Sequence, residues 1–334
     1  MALHRQFLFF CLFSAASGQR AIHWVIRVTD LEVTLNFTSN VLGMKVLRHE
    51  ENDKACELTC NGDFESEWSK TMVGYGPEDK NYVLELTYNY RVKHYDVGNG
   101  IDRFVIRLPE GVLPTSKLSE AKSYGYKVEN ATVTGPDGYR YELLDNRHDK
   151  YHVTTSRTQG HVDTIVLRSA DPRTLAVWYS QVIRMRLLGQ DDDSYTIGFD
   201  ETGSDAVRFR IESGQLHPEA PLSAMGQTKT WNHRITPWEG RNALALPAES
   251  IRRIHRQISK DAHFLIMHDL RELKEKLGTL LILILRDVGG FELCLVSEET
   301  FDPSVKAATD YQGPDWKMRD DSLAAIMGKM KDEL

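Results

Sequence analysis

The sequence predicts an α+β protein built from four short modules, each a strand, a helix and then mostly strands. Three internal echoes predict it. "RVTDLEVTLNFTSNVLGMKVL", from Arg27, aligns without a gap on "RSADPRTLAVWYSQVIRMRLL", from Arg168, so that Asp30 meets Asp171, Phe37 meets Trp178 and Met44 meets Met185. "FVIRLPEG" near residue 104 and "ALALPAES" near 243 are both strands running into a proline, Pro109 and Pro247. "GPDGYRYELLD" from Gly135 and "RDVGGFELCLV" from Arg286 are both tight glycine turns that lead into a strand. The modules fall near 20–90, 100–146, 161–212 and 241–297.

Each element has a local reason. In the first and third modules an apolar strand ends at an Asp, Asp30 or Asp171, whose side chain can cap the helix that follows. Val33, Phe37 and Val41 recur at helical spacing after the first cap, as do Leu175, Trp178 and Val182 after the second. Gly43 is placed to end the first helix, whereas Arg184 at the matching position makes a less ideal stop. "YVLELTYNY", residues 82–90, is a strand with one face of Val83, Glu85 and Thr87. A carboxylate in mid-strand needs a cation or several donors opposite it. "SGQLHPEAPLSAMGQTKTWNHRITPWEG", from Ser213, is a polar loop with three prolines, and His217, Trp231, His233 and Trp238 are pocket candidates within it.

The chain has 334 residues, 41% hydrophobic and 27% charged, with a net charge of −7. That is soluble globular composition for two domains. No basic stretch marks a nucleic-acid surface, so small molecules or proteins are the expected partners. The start, "MALHRQFLFFCLFSAASGQR", has His4 and Arg5, an apolar run from Phe7 to Ala16 and small residues before Gln19. This is the pattern of a secretory signal peptide over 1–18, and the run is short for a membrane span. The last four residues, "KDEL", form the address read by the KDEL receptor. Together they predict the lumen of the endoplasmic reticulum, with cytoplasm or mitochondrion as the alternative if the apolar run is not a working signal. Removal of Cys11 with the leader leaves Cys56, Cys60 and Cys294, an odd number, of which Cys56 and Cys60 could bridge. Asn36 and Asn130 open Asn-x-Thr sequons that matter only in the lumen. The sequence leaves open whether a homodimer forms.

The segments "AIHWVIRV" at 21–28, "VLGMKVLRHEE" at 41–51, "WSKTMVGYGPED" at 68–79 and "ELTYNY" at 85–90, set in four such modules, resemble the vicinal oxygen chelate superfamily of glyoxalase I, bleomycin-resistance proteins and extradiol dioxygenases. The resemblance covers about residues 20–316 and is loose over 213–285. It implies two cupped mixed sheets, module one paired with four and two with three. It also implies glyoxalase-like domains over 19–150 and 160–298, followed by a helical tail over 299–334.

By resemblance, metal ligands project into each cup from the first and last strands of its two modules. The first cup then offers His23, Glu85, Arg241 and Cys294, with Glu292 on the same strand face as Cys294. The second offers Arg103, Glu142, Thr164 and Arg210. Guanidiniums do not ligate and repel a dication, so the second cup is a poor metal site, with Glu142 an ion-pair partner for Arg103 or Arg210. In the first, His23 and Glu85, joined by Cys294 as thiolate, would take one divalent zinc, nickel or iron, although two firm ligands are too few for tight binding. Arg27 and Asn89 match positions that contact glutathione, and Arg241 adds a third group for an anionic ligand.

Two functions follow. In one, the chain is a metal-dependent lyase or isomerase of the lactoylglutathione lyase type, acting on an α-ketoaldehyde–thiol adduct or related small carbonyl. Glu85 would serve as ligand, and Glu292 as the base in place of a catalytic glutamate whose position holds Cys294. In the other, favoured because ligand positions are lost in both cups, it is a catalytically degenerate relative. Its cup then binds a small anionic metabolite or is filled, and Glu85 pairs with Arg241 or Arg27.

Overall fold

The computed structural model describes residues 18–145, 158–199, 206–214, 240–275 and 277–309. The candidate signal peptide up to residue 17, the loop residues His217, Trp231, His233 and Trp238, and the KDEL end lie outside the described residues.

The first module contains β1 (Arg20–Val28), α1 (Leu31–Asn40), β2 (Lys45–Asn52), β3 (Trp68–Gly74) and β4 (Val83–Asn89). The second contains β5 (Ile101–Arg107), α2 (Pro114–Ser123), β6 (Val128–Glu129), β7 (Thr132–Thr134) and β8 (Arg140–Leu144). The third contains β9 (His161–Ser169), α3 (Pro172–Trp178) prolonged by a π-helical turn at Tyr179–Ile183, β10 (Arg186–Asp191), β11 (Ser194–Gly198) and β12 (Arg208–Ser213). The fourth contains β13 (Arg241–Leu246), α4 (Ala248–Asp261), β14 (Ile266–Glu275), β15 (Gly278–Arg286) and β16 (Glu292–Ser297), and α5 (Glu298–Thr309) follows.

The strands form two eight-stranded mixed sheets, in the orders β14-β15-β16-β13-β1-β4-β3-β2 and β10-β11-β12-β9-β5-β8-β7-β6. Module one therefore pairs with four and two with three, as the resemblance implies. Each half of the chain places one module in each sheet.

The capping reading holds at both sites. The Asp30 carboxylate accepts from the Val33 amide at 3.0 Å, and that of Asp171 from the Thr174 amide at 2.9 Å. One member of the apolar stripe differs, because Val33 is 41% exposed while Leu31, Leu35 and Phe37 are buried. Gly43 and Arg184 close their helices in the same left-handed conformation, at φ 73° and 75°. Arg184 reaches it through the π-helical turn, whose wider loop carries the chain to a stop that glycine makes directly.

Side-chain alternation divides each central strand between two environments. Trp24, Ile26 and Val28 of β1, Leu84 and Leu86 of β4, and Leu293 and Leu295 of β16 join Phe104, Ile106, Ile165 and Phe209 of the other sheet and the helices in one core. The opposite face of the first sheet carries the polar side chains. Register sets Glu85, Val25, Arg241 and Glu292 in one row across β4, β1, β13 and β16, and Val83, His23, Ala243 and Cys294 in the next.

Candidate functional site

Glu85 lies in the first cup, 5% exposed, and its partner is His23. Glu85 Oε2 lies 3.3 Å from His23 Nε2, and Thr87 Oγ1 donates to Glu85 Oε1 at 3.4 Å. The expected pairing of Glu85 with Arg241 or Arg27 is corrected here. In the row of four, Val25 separates Glu85 from Arg241 by two strand spacings, whereas Glu292 is the direct neighbour of Arg241. His23, on the adjacent strand, is the diagonal neighbour that Glu85 reaches.

Glu78 completes this cluster, and the sequence reading missed it. It lies in the "GPED" turn between β3 and β4, where a carboxylate looks like ordinary solvent-facing turn chemistry. Its side chain instead turns inward, 3% exposed, and its Oε1 hydrogen-bonds His23 Nδ1. Arg48 Nη2 approaches its Oε2 at 3.4 Å. Burial raises the Glu78 carboxyl, but the charge and hydrogen bond of His23 and the nearby Arg48 together hold it below its ordinary value.

Arg241 and Glu292 form a second cluster. Arg241 Nε and Nη2 donate to Glu292 Oε2 at 3.3 and 3.2 Å, and Arg286 Nη2 donates to Glu292 Oε1 at 3.4 Å. Both carboxylate oxygens of Glu292 are therefore occupied by guanidinium donors, and this geometry leaves neither oxygen free to act as a base. Burial pushes the Cys294 thiol up to about 11, so it stays protonated at neutral pH.

Arg27, Asn89 and Arg241, the candidate ligand-holding groups, converge on one segment of the chain. Residues 53–67, between β2 and β3, fold over the cup. Arg241 Nη1 donates to the Leu58 carbonyl at 2.9 Å, and its Nη2 donates to Thr59 O at 3.3 Å and Thr59 Oγ1 at 3.0 Å. Arg27 Nη1 donates to Cys60 O at 3.3 Å. Asn89 Nδ2 donates to Asn61 O at 3.0 Å, and Asn61 Nδ2 returns a bond to Asn89 Oδ1 at 2.9 Å. Gly62 allows this approach, since a Cβ there would sit 3.3 Å from Arg27 Nη2 on a backbone of φ 84°. Cys56 and Cys60 are bridged, which closes the pairing that the sequence left open. Leu58 is buried against Ile22, Ala243, Ile284 and Val296 on the cup floor. The sequence signal for this segment was slight: one leucine between two cysteines in a polar stretch.

Arg27 is the least compensated charge in the cup. It is 2% exposed, its Nε has no hydrogen-bond partner, and among the described residues no carboxylate pairs with it. Burial lowers its pKa, although its charge is retained.

The donor set does not fit a tightly held divalent metal. His23 and Glu85 are within reach of each other, but Arg241 occupies a ligand position and Cys294 is protonated. Among the described residues, no three His, Cys, Asp or Glu side chains converge as such a site needs. In the second cup, Arg103 Nε donates to Glu142 Oε2 at 2.7 Å, as the sequence anticipated. Arg210 Nε donates to Glu212 at 2.8 Å, and Thr164 Oγ1 to Asp163 at 2.6 Å.

Two cupped sheets, each assembled from one module of either half and with its polar face turned inward, define a paired-module cupped-sheet protein. The chain belongs to the Glyoxalase/Bleomycin resistance protein/Dioxygenase superfamily, whose pattern matches residues 20–148. It is 31% identical over 283 residues to "Glyoxalase 1" of Caenorhabditis briggsae, covering 84% of this chain and 89% of that protein. It is 28% identical over 309 residues to "Glyoxalase domain-containing protein 4" of Mus musculus, covering 92% and 93%. The crystal structure of a glyoxalase I mutant from Zea mays has the same fold, with a TM-score of 0.62 at 20% identity over 86% of this chain and 97% of that one.

Proposed function

We propose that the protein is a catalytically degenerate glyoxalase-superfamily member, akin to glyoxalase domain-containing protein 4, that binds a small anionic metabolite in its first cup. The supporting observation is Arg27, a buried guanidinium whose only described side-chain hydrogen bond goes to a neutral carbonyl. A buried charge of this kind is costly unless an opposite charge joins it. A carboxylate meeting Arg27, with Arg241 and Asn89 beside it, would supply that charge. Loss of turnover follows from residue chemistry: Arg241 stands at a ligand position, Cys294 stands where the resemblance expects the catalytic glutamate, and Glu292 is held by Arg241 and Arg286.

The resemblance of Arg27 and Asn89 to glutathione-contacting positions makes glutathione adducts the first ligands to test. Wild type, Arg27→Gln and the double variant His23→Ala/Glu85→Gln would be titrated with S-methylglutathione, under oxidising and reducing conditions. They would also be assayed for isomerisation of the methylglyoxal–glutathione adduct with zinc or nickel supplied. The expected result is saturable binding lost in Arg27→Gln, with no turnover in any protein. Turnover by wild type that disappears in the double variant would replace this reading with the metal-dependent lyase. Absence of both binding and turnover in every condition would remove the glutathione-adduct form of it. Residence in the lumen of the endoplasmic reticulum is a companion proposal, supported by the closed Cys56–Cys60 bridge, which an oxidising compartment maintains.

A further inference from the structure

The segment that closes the first cup has the chemistry of a ligand. This inference rests on the proposed anion-binding role of that cup and adds which anions it takes and when. The β2–β3 connection, residues 53–67, has no counterpart in the other modules: β6–β7, β10–β11 and β14–β15 are each joined by two residues. Within it, Leu58 is 8% exposed and packs its isobutyl group against Ile22, Ala243, Ile284 and Val296. The next oxygens along the chain, Leu58 O, Thr59 O and Cys60 O, fall on Arg241 and Arg27 at 2.9, 3.3 and 3.3 Å. The cup is thus filled by one aliphatic group followed by oxygens on two guanidiniums. The match is incomplete in one respect. Carbonyl oxygens carry only partial charge, so Arg27 keeps a buried positive charge that an ionised carboxylate in the same place would neutralise.

Besides its contacts with Arg241, Arg27 and Asn89, the segment is held by its own ring and by one bond to β14. The Cys56–Cys60 disulfide ties it into a short ring, the Cys56 amide donates to Asn61 Oδ1 at 3.0 Å, and Thr59 Oγ1 meets His268 Nε2 at 3.1 Å. Breaking the ring returns conformational freedom to a stretch with no ladder of its own, which shifts it toward released states. We propose that Leu58–Cys60 is a built-in stand-in for an aliphatic carboxylate, and that reducing the Cys56–Cys60 disulfide admits such a ligand to the cup. The reductant is a dithiol: its two sulfurs become a disulfide, the Cys56–Cys60 bond breaks, and each cysteine sulfur leaves as a thiol carrying one proton.

The test is calorimetric titration of the full chain with hexanoate and with acetate, in the oxidised protein, after dithiothreitol, and in Cys56→Ser/Cys60→Ser. The reduced protein and the serine variant are expected to bind hexanoate at least tenfold tighter than the oxidised protein does, and tighter than they bind acetate. The serine variant should not respond to dithiothreitol, which excludes an effect through Cys294. Equal hexanoate affinity in all three forms would overturn the redox gate. Acetate binding as tightly as hexanoate would overturn the aliphatic class while leaving the anion-binding cup intact. Hexanoate binding that survives Arg241→Gln unchanged would place the ligand elsewhere and overturn this inference. Failure of every form to bind either anion would overturn it together with the small-anion reading on which it rests.

Discussion

Replacing Asp287 with Asn should flatten the pH dependence of stability. Asp287 is fully buried in the turn between β15 and β16, and burial pushes its carboxyl from 3.8 up to about 7. Hydrogen bonds from Tyr179 Oη at 2.8 Å and from the Gly289 and Phe291 amides at 2.8 and 2.9 Å pull the other way without cancelling burial. The sign follows from proton counting. Between pH 3.8 and 7 the folded state binds more protons at this site than the unfolded chain does, so stability falls as pH rises through that window and is level above it. A rise from 3.8 to about 7 corresponds to about 4 kcal/mol of lost stability once both states are ionised. Asparagine keeps the geometry, because both amides bond Oδ1 and the Tyr179 hydroxyl, which faces Oδ2, can accept from an amide NH₂ instead. Urea unfolding of both proteins from pH 4 to 8 measures the difference directly. Asp287→Asn should gain on wild type steadily up to about pH 7, by up to ~4 kcal/mol, and then run parallel. Parallel curves across the whole range would show that Asp287 titrates as an ordinary carboxyl and that the burial argument is wrong.

Removing the imidazole between two buried acids should be costly: His23→Ala is expected to destabilise by about 3 kcal/mol, since Glu78 and Glu85 are left without their shared partner. Adding Glu78→Gln should recover part of that loss in urea unfolding, and a double-mutant cycle that is additive would refute the coupling. Appending one residue after Leu334 should divert the protein to the medium of expressing cells if the terminal KDEL is read in the lumen. An unchanged distribution would count against the luminal proposal.

The four-module plan was legible because modules one and three share an apolar strand ending at an Asp cap, and modules two and four share a strand running into a proline and a later tight glycine turn. The inward position of Glu85 was legible from two sources together: alternation along "VLELTYN" puts it on the face opposite Leu84 and Leu86, and the resemblance implies that this face lines the cup. Its partner was not, because partnership depends on the register of three strands, and that register places Val25 between Glu85 and Arg241. Glu78 escaped notice because turn residues carry no periodicity that reveals an inward side chain. The 53–67 segment escaped it too, because a polar stretch with a single leucine matches an exposed loop. Only the geometry of Arg27, Asn89 and Arg241 shows what it lies on. The helical stripe misplaced Val33 because position along one periodic face does not say where that face ends.

The two cups meet one electrostatic problem in different ways. Each carries arginine where the family resemblance expects metal-ligand side chains, which turns a place suited to a cation into one suited to oxygen atoms. In the second cup the added charge is met by carboxylates, Arg103 by Glu142 and Arg210 by Glu212 and Asp191. In the first, Arg241 has Glu292, but Arg27 has the Cys60 carbonyl and an unpartnered Nε. Full ion pairing leaves the second cup little reason to draw in an anion from solution. The first cup retains that reason in one buried guanidinium, covered by a segment whose oxygens carry too little charge to neutralise it. On the proposed anion-binding role, the difference between the cups favours the first as the place of binding, and the chemistry of its cover names what a ligand there would displace.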